Sequence, residues 1–124
     1  MNGAVMNLSI RTLLALSLAG VASLAQAADV QTGKATFEKL NCASCHGADA
    51  RTPIDPSYPI LAGQHADYLK HALRAYQRGA SGGTAANARN NPIMGAFASQ
   101  MSDQDIANVS AWLATLPSDL GVRR

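Results

Sequence analysis

The segment Cys42-Ala43-Ser44-Cys45-His46 places two thiols and an imidazole within five residues. Cysteines at this spacing lie along one helical turn and reach the two vinyl groups of one porphyrin, and the adjacent histidine directs a ring nitrogen at the iron. Cys-x-x-Cys-His is the pattern of covalent c-type haem attachment. The segment therefore predicts thioether bonds from Cys42 and Cys45 to one haem c, with His46 as the first axial ligand of the iron.

Two other uses of this cysteine pair are disfavoured. A thiol-disulfide redox site normally opens a helix after a strand of a βαβ unit, but a helical pattern precedes Cys42 and no alternating strand pattern is present. A zinc site would need a second pair of ligands at suitable spacing, and the chain has none.

The iron needs a second axial ligand, for which four downstream side chains are candidates: Met94, Met101, His65 and His71. Met94 lies between Pro92, which stiffens the chain, and Gly95, which permits a close backbone approach to a ring. The two histidines lie at the start and on the flank of a predicted helix, as surface histidines often do. The local sequence therefore favours Met94.

Met101 has a different explanation. It immediately precedes Ser102, a predicted helix N-cap, and Ile106 stands at the fourth helical position. This spacing is that of a hydrophobic staple. We therefore expect Met101 to belong to the core.

Residues 1–27 resemble a cleaved export signal. Arg11 supplies a positive start, an apolar run follows, and Ala25 and Ala27 frame a cleavage site. The apolar run is shorter than the roughly 20 residues that span a bilayer. The expected mature protein is a single domain of residues 28–124 in the periplasm, without a stable membrane span, and an uncleaved anchor is the alternative.

The charge of the mature chain gives no reason to expect a nucleic-acid partner. The full sequence has ten Lys and Arg residues against eight Asp and Glu residues, and Arg11 leaves with the signal. The remaining charges nearly balance, and two haem propionates would make the complex slightly negative.

Three segments have helical periodicity, which predicts an all-α fold. Their apolar faces are Val30, Gly33, Phe37 and Leu40; Leu69, Ala72, Leu73 and Tyr76; and Ile106, Val109, Leu113 and Leu116. We expect Gly79 to end the second helix as a C-terminal cap. Ser102 and Asp105 predict a capping box at the start of the third helix, which Pro117 closes.

The connections between these helices are long. Residues 51–64 are rich in proline, and residues 79–95 are rich in Gly, Ala, Asn and Ser. Loops of this length are uncommon in a compact domain unless they are functional, so we expect both to wrap the cofactor. The non-coordinating nitrogen of His46 should bond to a backbone carbonyl of the proline-rich loop, near Pro53 or Pro56, because metal-bound histidines usually have such a partner.

Lys70, Arg74 and Arg78 repeat every four residues along the second predicted helix. They would either steer an acidic partner or form a solvated helix face with Asp67 as an intrahelical neighbour. The second interpretation is favoured.

These residues together resemble the class I c-type cytochromes, in particular short bacterial forms that occur alone or as half of a two-haem cytochrome. The resemblance extends from about Val30 to Pro117 and includes Leu61-Ala62-Gly63-Gln64, Pro92-Ile93-Met94 and Ser102-Asp103-Gln104-Asp105-Ile106. It implies a fold of three main helices and long loops around one haem. It also implies that Met94 is the sixth ligand and that Gly33 and Phe37 pack against Trp112.

The function expected from this resemblance is electron transfer rather than enzymatic catalysis. A periplasmic carrier with His46 and Met94 on the iron would pass single electrons between redox proteins such as an oxidase, a reductase or a dehydrogenase. The alternative is a gas sensor or a peroxidase-like enzyme with an open sixth position. Met94 argues against that alternative, because a filled iron does not readily bind substrate.

Overall fold

The computed structural model describes residues 26–82 and 86–119, which form five α-helices and no strand within those ranges. The helices are α1 (Val30–Lys39), α2 (Ala43–His46), α3 (Ala66–Ala80), α4 (Pro92–Ala98) and α5 (Asp103–Thr115). The predicted all-α class is confirmed. The proposed export signal lies outside the described residues except for its last two positions. None of the helices in the described ranges has the length and apolar character needed to cross a bilayer.

Helices α1 and α5 cross in close contact because α1 has a glycine at the crossing. A Cβ atom on Gly33 would lie 2.1 Å from the carbonyl oxygen of Asn108 and 2.9 Å from Cβ of Trp112. One turn further, the rings of Phe37 and Trp112 pack at 5.0 Å between centroids. The contact expected between Gly33, Phe37 and Trp112 is therefore present. This contact holds α1 and α5 directly against each other.

The N-terminus of α1 is tied to α5 by Asp29. The Asp29 carboxylate caps α1. The backbone N–H of Asp29 donates to Oδ1 of the buried Asn108 at 2.8 Å. The sequence places Val30 on the buried face, but this side chain is 36% exposed. That prediction is wrong because the buried face of α1 is centred on Gly33, Thr36 and Phe37.

The start of α5 has the predicted capping box. The Ser102 side chain accepts from the N–H of Asp105, and the Asp105 carboxylate accepts from Ser102 in return. The Ser102 hydroxyl lowers the pKa of Asp105, because it donates to the ionised form. Met101 is buried and belongs to the same core cluster as Ile106, as a hydrophobic staple requires.

Gly79 has a different role from the one predicted. Helix α3 continues through Ala80 and its C-cap is Ser81, so Gly79 does not end the helix. A Cβ atom on Gly79 would lie 2.0 Å from the carbonyl oxygen of Arg89. The missing side chain lets the segment around Arg89 lie directly on α3.

The second long connection contains a helix that the sequence analysis missed. Asn91 is the N-cap of α4, with its side chain accepting from the N–H of Met94 at 2.9 Å, and Pro92 occupies the first turn. Gly95 packs its backbone near Ala80 of α3. The expectation of an irregular chain through residues 92–95 is wrong, because Asn followed by Pro is itself a signal that begins a helix.

The basic row on α3 consists of residues with intramolecular partners. The contacts are Lys70 with Asp67 at 2.6 Å, Arg74 with Asp103 at 3.1 Å and Arg78 with the carbonyl of Asn87 at 2.8 Å. These contacts favour the solvated helix face over a docking surface.

Candidate functional site

The residues predicted to hold the cofactor line one cavity of about 540 Å³. Its walls include Cys42, Cys45 and His46 on one segment and Met94 on α4. The remaining lining comes mainly from apolar and aromatic side chains of α1, α3, α4 and α5 and of the proline-rich loop. This volume falls within the roughly 300–1,000 Å³ of typical ligand and cofactor sites.

The end of α1 delivers the chain to Cys42 through a Schellman motif. The N–H of Cys42 donates to the carbonyl of Phe37 at 3.1 Å, and the N–H of Asn41 donates to Glu38 at 3.0 Å. Asn41 has a φ of 53°, in the left-handed region that asparagine tolerates better than most residues. This turn ends α1 and starts the single helical turn α2, so the positions of both cysteines follow from local backbone geometry.

Cys42 and Cys45 are both free thiols and are partly buried. Burial raises the pKa of Cys42, and the neighbouring Cys45 adds to this effect. Thiol-disulfide redox sites depend on a cysteine whose pKa is lowered. The environment of Cys42 therefore argues against such a site.

His46 is fixed in orientation by a backbone carbonyl. Its side chain is buried, and Nδ1 lies 3.0 Å from the carbonyl oxygen of Pro59. A carbonyl only accepts, so Nδ1 carries the proton and Nε2 keeps a free lone pair for a metal. The predicted backbone carbonyl of the proline-rich loop is therefore confirmed, but it belongs to Pro59, and its placement near Pro53 or Pro56 is wrong.

Pro59 reaches His46 because the chain turns back tightly after the motif. Gly47 has a φ of 81°, and a Cβ atom there would lie 2.1 Å from the carbonyl oxygen of Thr52. The carbonyl of the fully buried Ala50 then accepts from the N–H groups of Leu61 and Ala62, both at 2.9 Å. The two ends of the proline-rich loop are thereby held together, and its middle covers His46.

Asp49 holds the first turn of this loop. Its carboxylate accepts from the N–H groups of Arg51 and Thr52 at 2.9 and 2.8 Å and from the Thr52 hydroxyl at 2.8 Å. These bonds, led by the Arg51 N–H, lower the pKa of Asp49 to about 2. The ionised carboxylate of Asp49 therefore stabilises the start of the loop whose Pro59 carbonyl orients His46.

Met94 and Met101 both line the cavity, but they differ in surroundings. Met94 is partly buried on α4, whereas Met101 is 6% exposed within the core cluster. The Met101 carbonyl also accepts from the side chain of Gln77 at 2.9 Å. His65 and His71 are exposed and are not among the described residues that line this cavity.

Tyr68, Tyr76 and Arg89 also line the cavity. The sequence predicts Tyr76 on the apolar face of the second helix, but it assigns none of the three to the site. The guanidinium of Arg89 lies 5.5 Å from the ring centroids of both tyrosines and donates to the Tyr68 hydroxyl at 3.2 Å. The tyrosines lie eight residues apart on α3, a helical repeat that could have indicated a shared face. No signal in the sequence indicated that Arg89 would fold back onto them.

The chemistry of the lining fits a covalently attached haem. Two free thiols lie beside a histidine with an available Nε2, a thioether lies on another wall, and apolar side chains fill most of the remainder. Within the described ranges, no cluster of three or more His, Cys, Asp or Glu side chains is arranged to bind a metal ion directly. A metal held in a porphyrin needs only axial ligands from the protein.

A comparison with protein families supports the same assignment. The family model for cytochrome c matches residues 30–117, which include the Cys-x-x-Cys-His segment and Met94. The chain is also similar to several curated proteins that differ in length, among them the following three.

The thiosulfate dehydrogenase electron acceptor of Stutzerimonas stutzeri is 39% identical over 82% of this chain and 47% of its own length. Cytochrome c4 of Pseudomonas aeruginosa is 32% identical over 93% of this chain and 51% of its own length. Cytochrome c-554(548) of Halomonas halodenitrificans is 39% identical over 60% of this chain and 82% of its own length. The chain thus spans about half the length of the first two relatives and most of the third.

Proposed function

The chain belongs to the cytochrome c family of electron-transfer proteins, which carry covalently bound haem c, and we propose that it is a periplasmic carrier with His46 and Met94 as axial ligands. In this proposal Cys42 and Cys45 form the thioether bonds. The observation that carries the proposal is that all four side chains line one cavity although Met94 is distant in sequence.

Met94 is the better candidate for the sixth ligand for two reasons. Asn91 caps α4 by accepting from the Met94 N–H at 2.9 Å, so the backbone of the ligand is anchored. Met101, by contrast, is packed with Ile106 in the core, and moving its sulfur to the iron would leave a void there. The local sequence and the family resemblance favour the same residue.

The residues of this chain would hold the iron in one coordination state rather than transform a substrate. Haem supplies the one-electron couple, and a thioether ligand favours ferrous iron and raises the potential. His46 would keep its orientation through Pro59, and the apolar walls would exclude water from the ring. A filled and rigid coordination sphere suits a carrier.

The sixth ligand is tested by substituting each methionine. Met94→Ala should abolish the weak near-infrared sulfur-to-iron charge-transfer band of the oxidised protein and lower the reduction potential, because water or another ligand replaces the thioether. Met101→Leu is the control, and it should keep the band with a stability loss below about 1.5 kcal/mol.

Two results would contradict this assignment. If the band required Met101 and survived in Met94→Ala, the ligand would be the wrong methionine. If neither variant changed the spectrum and the native ferrous protein bound carbon monoxide readily, the sixth position would be open, as in a sensor or a peroxidase-like enzyme.

Attachment through both cysteines has a separate test. Acid-acetone extraction of the purified protein should leave the colour with the polypeptide, because thioether bonds survive where iron ligation does not. The Cys42→Ala and Cys45→Ala variants should each retain haem through one remaining bond. Free haem in the solvent phase of the native protein would disprove covalent attachment.

The periplasmic location is proposed from the N-terminal sequence. The frame Ala25-Gln26-Ala27 and the apolar run before it are typical of an export signal. N-terminal sequencing of the exported protein should find a start at Ala28 or Asp29. Recovery of the intact segment 1–27 in membrane fractions would favour the anchor instead.

We propose a thiosulfate-oxidising dehydrogenase as one class of electron donor. The support is the similarity to the Stutzerimonas electron acceptor, of which this chain spans about half. Purified thiosulfate dehydrogenase with thiosulfate should reduce the ferric protein rapidly in stopped-flow absorbance measurements. No reduction by this donor, in protein that ascorbate reduces fully, would point to another partner.

A further inference from the structure

Arg89 is the one Lys or Arg residue among the described residues that line the main cavity. The same lining contains no Asp or Glu, and no carboxylate in the described part of the chain forms an ion pair with Arg89. The basic residues Lys70, Arg74 and Arg78 on α3, in contrast, each have a partner. Arg89 is therefore an uncompensated cation at the wall of a site that must accept two haem carboxylates.

The backbone at Arg89 is held in place independently of its side chain. Its N–H donates to the carbonyl of Ala75 at 2.9 Å. Its own carbonyl lies where a Cβ atom of Gly79 would otherwise be, only 2.0 Å away. These contacts bind the segment to α3, so the guanidinium is presented from a fixed point.

The side chain of Arg89 is also held in position by protein contacts that need no bound haem. Its guanidinium lies over the rings of Tyr68 and Tyr76, 5.5 Å from each centroid. Nη2 donates to the Tyr68 hydroxyl at 3.2 Å, and this bond raises the pKa of Arg89, which keeps it cationic. A guanidinium has five N–H donors, so further donors remain, and the Tyr68 hydroxyl proton is also free to donate.

We infer that Arg89, together with the Tyr68 hydroxyl, binds one carboxylate of the haem at the wall of the cavity. Charge-assisted bonds from arginine to a carboxylate are shorter and stronger than neutral ones, and the fork geometry of arginine suits such a partner. With one arginine for two carboxylates, the second propionate is left to water or to neutral donors. The inference depends on the bound haem described under the proposed function.

The test compares Arg89→Gln with Arg74→Gln in the purified holoprotein. Both remove one positive charge from the α3 region, but Arg74 pairs with Asp103 at the surface. An unpaired haem carboxylate favours ferric iron, so Arg89→Gln should change the equilibrium between ferric and ferrous protein about tenfold. This corresponds to a reduction potential lower by about 59 mV for a one-electron couple. Arg74→Gln should shift it much less.

The haem carboxylate bands in the redox-difference infrared spectrum provide a second measurement. They should shift in Arg89→Gln and stay unchanged in Arg74→Gln. If Arg89→Gln does not assemble, Arg89→Lys and Tyr68→Phe serve instead. The lysine should preserve most of the potential while shifting the bands, and the phenylalanine should shift them by removing the hydroxyl.

Equal potential shifts in Arg89→Gln and Arg74→Gln, with unchanged carboxylate bands, would overturn the inference. Arg89 would then be a clamp that holds its loop to two tyrosines. Acid-acetone extraction separates this failure from a failure of the proposed attachment, because retained colour shows that covalent haem is present in each variant.

Discussion

Substitution of Gly33 tests whether the close crossing of α1 and α5 is required for the fold. Gly33→Ala adds one methyl group, whose carbon would lie 2.1 Å from the carbonyl oxygen of Asn108 and 2.5 Å from its carbonyl carbon. Both atoms belong to the backbone, so no side-chain rotation relieves the clash. The two helices must separate by at least about 1.4 Å at this point to restore ordinary contact distances, which begin near 3.5 Å.

Two effects of opposite sign determine the size of the change. Overpacking in a well-packed core costs about 1–3 kcal/mol, and the upper end applies here because the backbones of two helices must move. Alanine gains about 1 kcal/mol over glycine inside a helix. The net destabilisation is therefore about 2 kcal/mol, which for a domain of this size lowers Tm by roughly 8–16 °C.

Thermal unfolding followed by far-ultraviolet circular dichroism measures this change. Gly95→Ala on α4 is the matched control, because its methyl group would come no nearer to a neighbour than 3.1 Å, to Cβ of Ala80, and the carbonyl oxygen of Tyr76 would lie at an ordinary 3.7 Å. The control should stay within about 1 kcal/mol of the parent protein, since a smaller clash offsets the same helix gain. A Gly33→Ala protein as stable as the parent, or more stable, would refute the reasoning.

Three further predictions follow from hydrogen bonds and packing near the site. Asp49→Asn should lower the free energy of unfolding above about pH 4, where Asp49 is ionised in the parent protein. The difference in unfolding free energy between variant and parent should shrink as the pH falls from about 4 to about 2, because Asp49 of the parent becomes protonated over that range. Acid titrations of both proteins by circular dichroism measure it, and a constant difference would contradict the assignment. Asn91→Ala should destabilise α4 by about 1 kcal/mol and lower the temperature at which the sulfur-to-iron band is lost, whereas Asn91→Ser should keep the cap; equal behaviour of the two variants would count against it. Met101→Ala should cost about 2–5 kcal/mol in chemical denaturation while retaining that band, and loss of the band at full stability would show that Met101 ligates the iron.

Much of the fold could be predicted because its signals are local. The capping box of Ser102 and Asp105 and the helical spacing of Leu69 and Ala72 lie within a few residues, and each produces the expected helix. The Cys-x-x-Cys-His segment is equally local. The neighbours of Met94 and the family resemblance both favour it as a ligand, and it lines the same cavity as Cys42, Cys45 and His46.

The features that could not be predicted depend on contacts between distant segments. A glycine near the end of a helical pattern predicts a C-cap, but Gly79 instead leaves room for the carbonyl oxygen of Arg89. Pro59 rather than Pro53 or Pro56 faces His46, because the path of the loop is fixed by bonds from its far end to Ala50. No local pattern records these distances. Helix α4 differs from these features, because Asn91 and Pro92 are a local signal for a helix start and would have allowed its prediction from the sequence.

The two proposed axial ligands are held by neutral groups, and this has a consequence for the potential. The partner of His46 Nδ1 is the Pro59 carbonyl, and the partner of the Met94 N–H is the Asn91 amide oxygen. A carboxylate bonded to His46 would make the imidazole a stronger donor and favour ferric iron, whereas a carbonyl does so less. A thioether ligand favours ferrous iron, and a carbonyl-bonded imidazole opposes this less than a carboxylate-bonded imidazole would. With His46 and Met94 as the axial ligands, we therefore expect a carrier of higher potential than one whose histidine is bonded to a carboxylate.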